Sequence, residues 1–306
     1  MILCCGEALI DMLPRQSREG EDTFAPYAGG AVFNTAIALG RLGAKSGFFC
    51  GISTDLFGEI LAKSLAASQV DMSLAVRSDR PTTLAFVTLT DGQASYAFYD
   101  ENTAGRMLSP DDLPQIPESV GALFFGGISL AVEPCAQAYE ALALREADNR
   151  TIMIDPNIRP GFIKDEATYR ARIARMLGAA DIVKLSDEDL HWLEGEGDLA
   201  ALAGNILDQG PSLVLITEGV KGATAFSKNG AVFAPAKAVD VVDTVGAGDT
   251  FNAGFLAALD QAGKLDRAAL SSLSDEDLTA ALSLGIRSAA VTVSRAGANP
   301  PWASEL

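Results

Sequence analysis

Residues 46–68 read SGFFCGISTDLFGEILAKSLAAS, a short apolar run rich in β-forming residues followed by an Ala- and Leu-rich run of helical character. The same order occurs earlier in the chain, where ILCCG (2–6) precedes AVFNTAIALGRLG (31–43). A strand that alternates with a helix in this way is typical of a parallel sheet covered by helices. The stretch therefore predicts an α/β fold with a mostly parallel central sheet.

Four later apolar runs continue this pattern, at 122–128, 151–156, 181–186 and 213–217. Each is nearly continuous in apolar residues, as expected for a strand that is buried on both faces. The C-terminal third predicts helices, including one at about 276–290, followed by a final strand VTVS at 291–294.

Two segments break the alternation. Residues 12–27 are polar and carry Pro and Gly, whereas residues 82–100 alternate in polarity and contain a turn signal at Asp91-Gly92. The second segment predicts a hairpin, and a hairpin alone is only marginally stable. We predict that both segments form a small β-sheet lid inserted into a larger body, the alternative being an extension of the main sheet at its edge. The body then consists of residues 1–11, 28–81 and 101–306.

Composition narrows the class of protein. An apolar content of 48% and a charged content of 21% are typical of a globular chain and argue against a disordered one. Forty acidic residues against 23 basic ones leave a net charge of -17, which disfavours binding to nucleic acids and to anionic membranes. A small phosphorylated ligand is still compatible with this charge, because backbone amides at a helix N-terminus can hold a phosphate.

The reactive residue types point to a cytoplasmic protein without histidine chemistry. The four cysteines show no CxxC spacing, and a chain of 306 residues needs no disulfide to hold its core. The N-terminal apolar run soon meets Glu7 and Asp11, which predicts a strand rather than a signal peptide, and no apolar run is long enough for a membrane span. The single histidine, His191, excludes His-based triads and multi-histidine metal sites.

The strongest local motif is VVDTVGAGDTFNAGFLAAL at 241–259. A strand-like run gives way to Gly246-Ala247-Gly248, and Asp249 then opens a helix. Two glycines allow the backbone to turn its amides outward at the positive end of a helix dipole, which is a geometry that holds a developing anion.

Asp249 has two interpretations from the residues alone. It is either the N-cap of the helix, or a general base that takes a proton from an attacking hydroxyl while the amides stabilise a transferred phosphoryl group. In the second case, we expect the helix dipole to lower the pKa of Asp249 and keep it ionised. Neither a P-loop nor a dinucleotide-binding fingerprint occurs in the chain.

Three further clusters lie where ligands commonly bind, and each has a structural alternative. They are Gly29-Gly30 with Asn34, together with Asp11 at the end of the first strand; the DPNIRP loop at 155–160, which contains Arg159; and TEGVKG at 217–222. Small residues let a ligand approach the backbone, and loops beyond the carboxyl ends of strands gather polar groups. The glycines are equally expected in ordinary turns.

Taken in order, the motifs GGAVFNTA (29–36), GISTDLFG (51–58), DPNIRP (155–160), TEGVKG (217–222) and DTVGAGDTFNAG (243–254) resemble the PfkB, or ribokinase-like, carbohydrate kinase family along nearly the whole chain. The resemblance implies a three-layer α/β/α body with a small β-sheet lid over the sugar. It also implies ATP as phosphoryl donor, Mg2+, and often K+ as a monovalent cation near the anion hole.

The resemblance also assigns roles to individual residues. Asp249 would be the catalytic base, and the amides of Gly246, Ala247 and Gly248 the anion hole. The sugar-binding residues would be Asp11, Gly29, Gly30, Asn34, Phe98 and Arg159. The residues near the ATP phosphates would be Lys184, Thr217, Gly219 and Gly222. Asp243 and the loop around Ala296 and Gly297 resemble the monovalent-cation region.

One motif departs from the family. The NxxE motif, which the family links to Mg2+, occurs here as Ser186-Asp187-Glu188-Asp189. The hexamer LSDEDL that contains it is repeated at 273–278, where the family pattern has no such role. Helix capping by the Ser therefore suffices to explain the motif, and Asp189 is only weakly implied as a metal residue.

The opening GEALIDMLP (6–14) and the lid stretch FYDENTA (98–104) resemble the bacterial fructokinase branch of the family. This resemblance implies transfer of the γ-phosphoryl group of MgATP to a primary hydroxyl, with fructose 6-phosphate as product. The alternatives are a 2-keto-3-deoxygluconate kinase or a ribokinase, and a non-catalytic sugar or nucleotide sensor. A sugar acid needs a cation in the pocket, for which Arg106 and Arg159 are candidates. A homodimer formed through the lid is expected from the apolar face of the hairpin and from the resemblance.

Overall fold

The computed structural model describes residues 1–90 and 93–306, so the Asp91-Gly92 turn lies outside the described residues. The strands in this part of the chain are β1 (Ile2–Cys5), β2 (Leu9–Gln16), β3 (Asp22–Gly29), β4 (Ser46–Phe49), β5 (Gly51–Ser53), β6 (Val76–Ser78), β7 (Leu84–Thr90), β8 (Gln93–Tyr99), β9 (Ala122–Gly126), β10 (Thr151–Asp155), β11 (Ile182–Ser186), β12 (Leu213–Thr217), β13 (Gly222–Ser227) and β14 (Gly230–Pro235). The α-helices are α1 (Ala31–Arg41), α2 (Leu56–Ala67), α3 (Cys135–Glu146), α4 (Glu166–Ala179), α5 (Asp187–Glu194), α6 (Leu199–Leu207), α7 (Ala247–Gln261), α8 (Arg267–Leu270) and α9 (Asp275–Val293). Within the described ranges, none of these helices combines the length and apolar content that a membrane crossing requires.

The central sheet has eight strands in the order β14-β13-β12-β11-β10-β9-β1-β4. The β12–β13 and β13–β14 pairs are antiparallel, and the other pairs are parallel. All residues of β1, β9 and β10 are buried, which explains why their sequences are continuously apolar. The predicted mostly parallel sheet is confirmed.

Helices cover both faces of this sheet. Neighbouring strand residues enter different cores: Phe48 packs in the core covered by α1, α2, α7, α8 and α9, whereas Phe49 packs in the core covered by α3, α4, α5 and α6. This division follows from the strand geometry, because successive side chains point to opposite faces. The predicted three-layer α/β/α architecture is confirmed.

A smaller sheet has four strands in the order β3-β2-β7-β8, and β5 pairs with β6 in a two-stranded sheet. Among the described residues, the strands of the smaller sheet pair only with one another, so the predicted alternative of an extended main sheet is wrong. The strand β2 begins at Leu9 and β3 ends at Gly29, so both reach further toward the body than the segment 12–27. Its role as a lid stays a prediction.

Two predicted strands of the C-terminal third are absent from their expected positions. Residues 291–293 of VTVS belong to α9, and Ser294 is its C-cap, so the predicted final strand is wrong. Thr292 is fully buried, and its hydroxyl bonds to Thr250 of α7 and to the Ser288 carbonyl. Packing against α7 thus overrides the preference of β-branched residues for strands. The second is the strand-like run that precedes Gly246, VDVV at 239–242, which is irregular, with Val241 and Val242 exposed.

Candidate active site

A cavity of about 1310 Å³ lies at the carboxyl ends of β1 and β10 and at the N-termini of α1 and α7. The strand β1 lies between β4 and β9, so the chain first continues to the strand on one side of β1 and later returns to the strand on its other side. Open α/β sheets bind ligands where the strand order reverses in this way. The candidate residues that line the cavity are Asp11, Gly30, Asn34, Phe98, Arg159, Gly246, Ala247, Gly248 and Asp249. The candidates that do not line it are Gly29, Lys184, Asp189, Thr217, Gly219, Gly222 and Asp243.

Asp249 is held between two helices. It is the third residue of α7 and only 7% exposed, and its Oδ2 accepts a hydrogen bond of 2.9 Å from Nδ2 of Asn34 on α1. The hydroxyl of Thr35 donates to the Asp249 carbonyl at 3.2 Å. The N-cap of α7 is Gly246, without a side-chain cap, so the N-cap interpretation of Asp249 is wrong. No described residue donates to Oδ1 of Asp249, which leaves this oxygen for a ligand.

Burial raises the pKa of Asp249 to about 7, an effect that the hydrogen bond from Asn34 and the charge of Lys184 only partly offset. The negative charges of Asp155 and Glu7 raise this pKa further. The expectation that the helix dipole keeps the pKa low is therefore wrong, because the loss of water around the carboxylate outweighs the dipole. A pKa near neutrality suits a group that accepts a proton during catalysis.

The turn before α7 is built around Gly246. Its φ of +79° lies in the left-handed region, and an added Cβ would lie 2.8 Å from that of Ala298. The first bond of the helix runs from Thr250 N to Gly246 O at 2.9 Å, so the amides of Gly248 and Asp249 have no partner within the helix. The Ala247 amide donates weakly to Thr244 O, at 3.3 Å. Free amides at the positive end of α7 thus border the cavity beside the Asp249 carboxylate.

A buried ion pair lies next to this turn. Oδ2 of Asp155 accepts hydrogen bonds from Lys184 Nζ at 3.1 Å and from Asn252 Nδ2 at 2.7 Å. The Lys184 and Asp155 side chains are 5% and 3% exposed. A Cβ on Gly248 would lie 3.2 Å from Lys184 Nζ, so the lysine is in contact with the turn. The cluster ties the ends of β10 and β11 to the first turns of α7.

Asp189 is engaged as a structural residue. It forms a capping box with Ser186 at the start of α5, and its Oδ1 also accepts a 3.0 Å hydrogen bond from Ile158 N. Burial raises the pKa of Asp189, and the nearby Asp155 charge adds to this effect. Ser274 and Asp277 form the same box at the start of α9, so both copies of the repeated hexamer cap helices, as capping alone predicts.

Asp11 is the third residue of β2, so the smaller sheet contributes this carboxylate to the cavity, and its predicted position at the end of the first strand is wrong. Desolvation raises its pKa to about 6, and no described residue donates a hydrogen bond to it. Gly29 of β3 pairs with Leu9 of β2, and a Cβ on Gly29 would lie 2.4 Å from Asp11 Oδ2. Gly30 has a φ of +111°, and a Cβ there would lie 2.8 Å from the Glu7 carbonyl. The glycine pair thus makes room for the carboxylate and for the start of α1.

Phe98 of β8 and Arg159 of the loop after β10 both line the cavity. The Phe98 ring meets the ring of Phe162 edge-on, with 4.4 Å between centroids, which joins β8 to the loop after β10. Arg159 is exposed and donates to the carbonyls of Asn157 and Ile158, at 3.4 and 3.0 Å. Its guanidinium therefore has no carboxylate partner among the described residues.

Three of the four residues assigned to the nucleotide, Thr217, Gly219 and Gly222, lie after or at the end of β12, away from Lys184 in β11. Thr217 is paired in register with Ser186 of β11, and Gly219 has a left-handed φ of +54°. At position 222, glycine is required by the packing of the sheet, because a Cβ there would lie 2.2 Å from the Ala234 carbonyl of β14. These residues adjoin the ends of β11 and β12 rather than the cavity around Asp249.

Asp243 joins two loops behind the glycine turn. Its Oδ1 accepts from Val245 N at 3.0 Å, and its Oδ2 accepts from Gly297 N at 2.9 Å. The loop before α7 is therefore fastened to the loop after α9, where the sequence resemblance places a monovalent cation.

Glu7 is a site residue that the sequence interpretation missed. It is partly buried beyond the end of β1, where Oε1 accepts from Ala31 N at 2.9 Å and Oε2 accepts from Ser129 N at 3.3 Å. Burial raises the pKa of Glu7. It thereby fixes the start of α1, the helix that presents Asn34 to Asp249. The signal was a carboxylate that directly follows a buried strand in the motif Gly6-Glu7.

Together, a carboxylate with an open oxygen and unpaired amides at a helix N-terminus can perform one kind of chemistry. The carboxylate can accept a proton from a hydroxyl, and the amides can stabilise negative charge on the group that the hydroxyl attacks. The buried ion pair and Glu7 keep these elements in place.

Comparisons with known proteins agree with this chemistry. The model of the pfkB family carbohydrate kinase matches residues 1–305. A fructokinase of Rhizobium leguminosarum bv. trifolii is 56% identical over 278 residues, which cover 91% of this chain and 85% of that protein.

Two crystal structures show the same fold. The fructokinase of Xylella fastidiosa with bound ATP has a TM-score of 0.88 at 29% identity, covering 97% of this chain and 93% of that one. A fructokinase double mutant of Vibrio cholerae O395, bound to fructose, ADP and potassium ion, has a TM-score of 0.85 at 26% identity, with the same coverage.

Proposed function

This chain belongs to the pfkB family of carbohydrate kinases, and on that premise we propose that it transfers the γ-phosphoryl group of MgATP to the primary hydroxyl of fructose, forming fructose 6-phosphate. It is an ATP-dependent sugar kinase. The observation that carries the proposal is the buried Asp249 carboxylate, which lines the cavity beside the unpaired amides at the start of α7. The names of its relatives support fructose as the sugar.

We propose Asp249 as the general base. Its Oδ1 would accept the proton of the sugar hydroxyl, while Asn34 holds Oδ2 and so fixes the orientation of the carboxylate. The turn formed by Gly246, Ala247 and Gly248 would stabilise the charge on the transferred phosphoryl group. Closing the smaller sheet over the cavity would exclude water, which otherwise competes with the sugar for the phosphoryl group.

The proposed sugar contacts come from both walls of the cavity. The Asp11 carboxylate has no donor among the described residues and would accept hydrogen bonds from sugar hydroxyls. Asn34 and the backbone of Gly29-Gly30 would approach the sugar at the start of α1, with Phe98 and Arg159 on the side of the smaller sheet and the DPNIRP loop. In this arrangement, the hydroxyl to be phosphorylated lies at Asp249.

The nucleotide would lie along the ends of β11 and β12, near Thr217, Gly219 and Gly222, with Lys184 close to its phosphates. The described residues contain no cluster of three or more His, Cys, Asp or Glu side chains that could hold a metal ion. The Asp189 carboxylate is also engaged by backbone N–H groups. A resident Mg2+ site does not fit these residues, so we propose that Mg2+ arrives with ATP as the MgATP substrate.

We propose that K+ binds near Asp243, where the loops before α7 and after α9 are joined. Potassium ion is present in the structure of the Vibrio cholerae relative, which supports this proposal.

We also propose a cytoplasmic location. All four cysteines are free thiols in buried positions, which is consistent with this location.

A panel of sugars tests the proposed substrate. In a coupled assay of ADP release, we expect fructose to give a kcat/KM at least about tenfold above those of ribose and 2-keto-3-deoxygluconate. The assay also separates the kinase from a non-catalytic sensor, which would bind sugar without releasing ADP. A rate with fructose no higher than the rate without sugar would refute the proposed substrate.

We also propose that two copies associate through the smaller sheet. Ala85 lies across from both Asp11 and Phe98, so these residues share the cavity face, and Phe86 lies on the opposite face. There the Phe86 ring meets Phe24 and Tyr99 edge-on, at 5.0 and 5.4 Å between centroids. Phe24 is 45% exposed, and Tyr99, which also lines the cavity, is 63% exposed. An apolar patch of this kind favours association.

Sedimentation at micromolar concentration tests the dimer. We expect the wild-type chain to sediment as a dimer and the Phe24→Glu variant as a monomer, because a buried unpaired carboxylate opposes association. Val220→Glu is the matched control, since Val220 is 91% exposed and lies outside the smaller sheet. A wild-type monomer, or a Phe24→Glu dimer, would contradict the proposal.

A further inference from the structure

An ion pair forms part of the cavity wall where the smaller sheet ends. Arg106 donates from Nη1 to Oδ2 of Asp100 at 2.8 Å, and from Nε to the Glu133 carbonyl at 3.1 Å. Both side chains line the cavity, yet they are only 17% and 16% exposed. Asp100 directly follows β8 and is fixed through its carbonyl, which accepts hydrogen bonds from the amide and hydroxyl of Thr103. The pair is therefore held in place from both ends.

The pair changes what the cavity can bind. The carboxylates that line the cavity are Glu7, Asp11, Asp100, Glu101, Asp155 and Asp249, and the cations are Arg106, Arg159 and Lys164. Arg159 and Lys164 lie on an exposed loop, where water screens their charges. Arg106 is the most enclosed cation of this wall, so its charge would act most strongly on a ligand if it were free. Asp100 neutralises that charge.

We infer that Asp100 determines the charge selectivity of the sugar cavity, by holding Arg106 in an ion pair so that neutral sugars are accepted and sugar acids are rejected. The inference rests on the proposed function and narrows its substrate class to uncharged sugars. A carboxylate ligand would be held most strongly by an enclosed cation that no protein carboxylate neutralises, because the exposed Arg159 and Lys164 are screened by water. To use the charge of Arg106 in this way, the ligand would have to displace Asp100. Without that displacement, the ligand adds a further negative charge to an acidic wall.

A conservative substitution separates this role from simple structural support. Asp100→Asn keeps the size of the side chain and removes its charge, which leaves Arg106 enclosed without a carboxylate partner. The variant should then gain affinity for an anionic sugar, and a merely weakened structure does not produce such a gain. A suitable probe pair is D-gluconate and D-glucitol, which have the same carbon chain and differ at C1 in charge.

Titration calorimetry measures binding of each probe to wild type and variants, with thermal unfolding as a check on folding. We expect Asp100→Asn to bind gluconate at least about tenfold more tightly than wild type, with a change of less than about threefold for glucitol. The double variant Asp100→Asn/Arg106→Gln should lose this gain. If Asp100→Asn does not fold, Asp100→Ser is used with the same expectation.

Glu101→Gln is the matched control. Glu101 lines the same cavity next to Asp100 but has no cationic partner among the described residues, so its substitution removes one negative charge without freeing an arginine. We expect less than about a twofold gain in gluconate affinity. An equal gain in Glu101→Gln, no gain in Asp100→Asn, or a gain that persists in the double variant would overturn the inference. Binding is measured without turnover, so a failure of the proposed kinase substrate in the sugar panel is a separate result.

Discussion

Replacing Asp249 with Asn should lower kcat by at least about 10²-fold while sugar and MgATP still bind, because the variant lacks a proton acceptor at the open oxygen. The amide keeps the size of the side chain and can still accept the hydrogen bond from Asn34. The measurement is steady-state kinetics in the coupled assay, together with calorimetric binding of sugar and nucleotide. A kcat within about threefold of wild type would contradict the assignment of Asp249 as the base.

The control for this variant is Asp260→Asn, the same substitution near the opposite end of α7. Asp260 does not line the cavity, so we expect its replacement to leave kcat within about twofold of wild type.

The pH dependence of the rate is a second test of Asp249 as the base. Since the pKa of Asp249 is about 7, the wild-type rate should fall as the pH drops through 7 and the base becomes protonated. The residual activity of Asp249→Asn should not show this fall in rate below pH 7.

The same variant should be more stable than wild type above pH 7. The folded-state pKa of Asp249 is about 7, above its ordinary value of 3.8, so the ionised carboxylate is disfavoured in the folded protein. Between these values, the unfolded chain releases the proton and the folded chain retains it, so stability falls as pH rises. Asparagine carries no such penalty. We expect a gain on the order of 2–4 kcal/mol at pH 8 that shrinks toward pH 4.

The second large effect concerns the buried ion pair. Asp155→Ala should destabilise the protein by about 3–5 kcal/mol, because it leaves the Lys184 ammonium buried without its carboxylate partner. Asn252 loses its acceptor at the same time. Urea unfolding measures the change in the free energy of unfolding.

The matched control is the double variant Asp155→Leu/Lys184→Met, which removes both charges and keeps apolar volume. It should regain much of the stability lost in Asp155→Ala, since paired removal of a buried ion pair is often close to neutral. Activity should stay low in the double variant, because the tie between β10, β11 and the turn at Gly248 is gone. A loss of less than 1 kcal/mol in Asp155→Ala would show that Lys184 finds other partners or water.

The fold was largely predictable because its signals are local. Strands buried on both faces, such as β10, need continuous apolar sequence, and they stand out from the Ala-rich helices between them. The glycine turn before α7 was also visible, since Gly246 adopts a left-handed conformation that few other residues tolerate. The end of α9 was not predictable, because packing against α7 determined it.

Nine of the candidate residues line one cavity, but the electrostatics of this cavity were not predictable from the sequence. Asp249 and Asn34 are 215 positions apart in sequence, and nothing local to either residue indicates that they form a hydrogen bond. The raised pKa of Asp249 follows from burial by distant segments, which the helix dipole argument did not include. Glu7 was missed for the same reason: its partners Ala31 and Ser129 come from other parts of the chain.

The most direct measurement is a crystal structure of the chain with fructose and a non-hydrolysable ATP analogue. We expect one carboxylate oxygen of Asp249 to lie within about 3.2 Å of the primary hydroxyl oxygen of the sugar. The terminal phosphate of the analogue should accept hydrogen bonds from the amides of the turn at Gly246–Gly248. A sugar whose primary hydroxyl is bonded to another residue and lies beyond the reach of Asp249 would show that Asp249 is not the base.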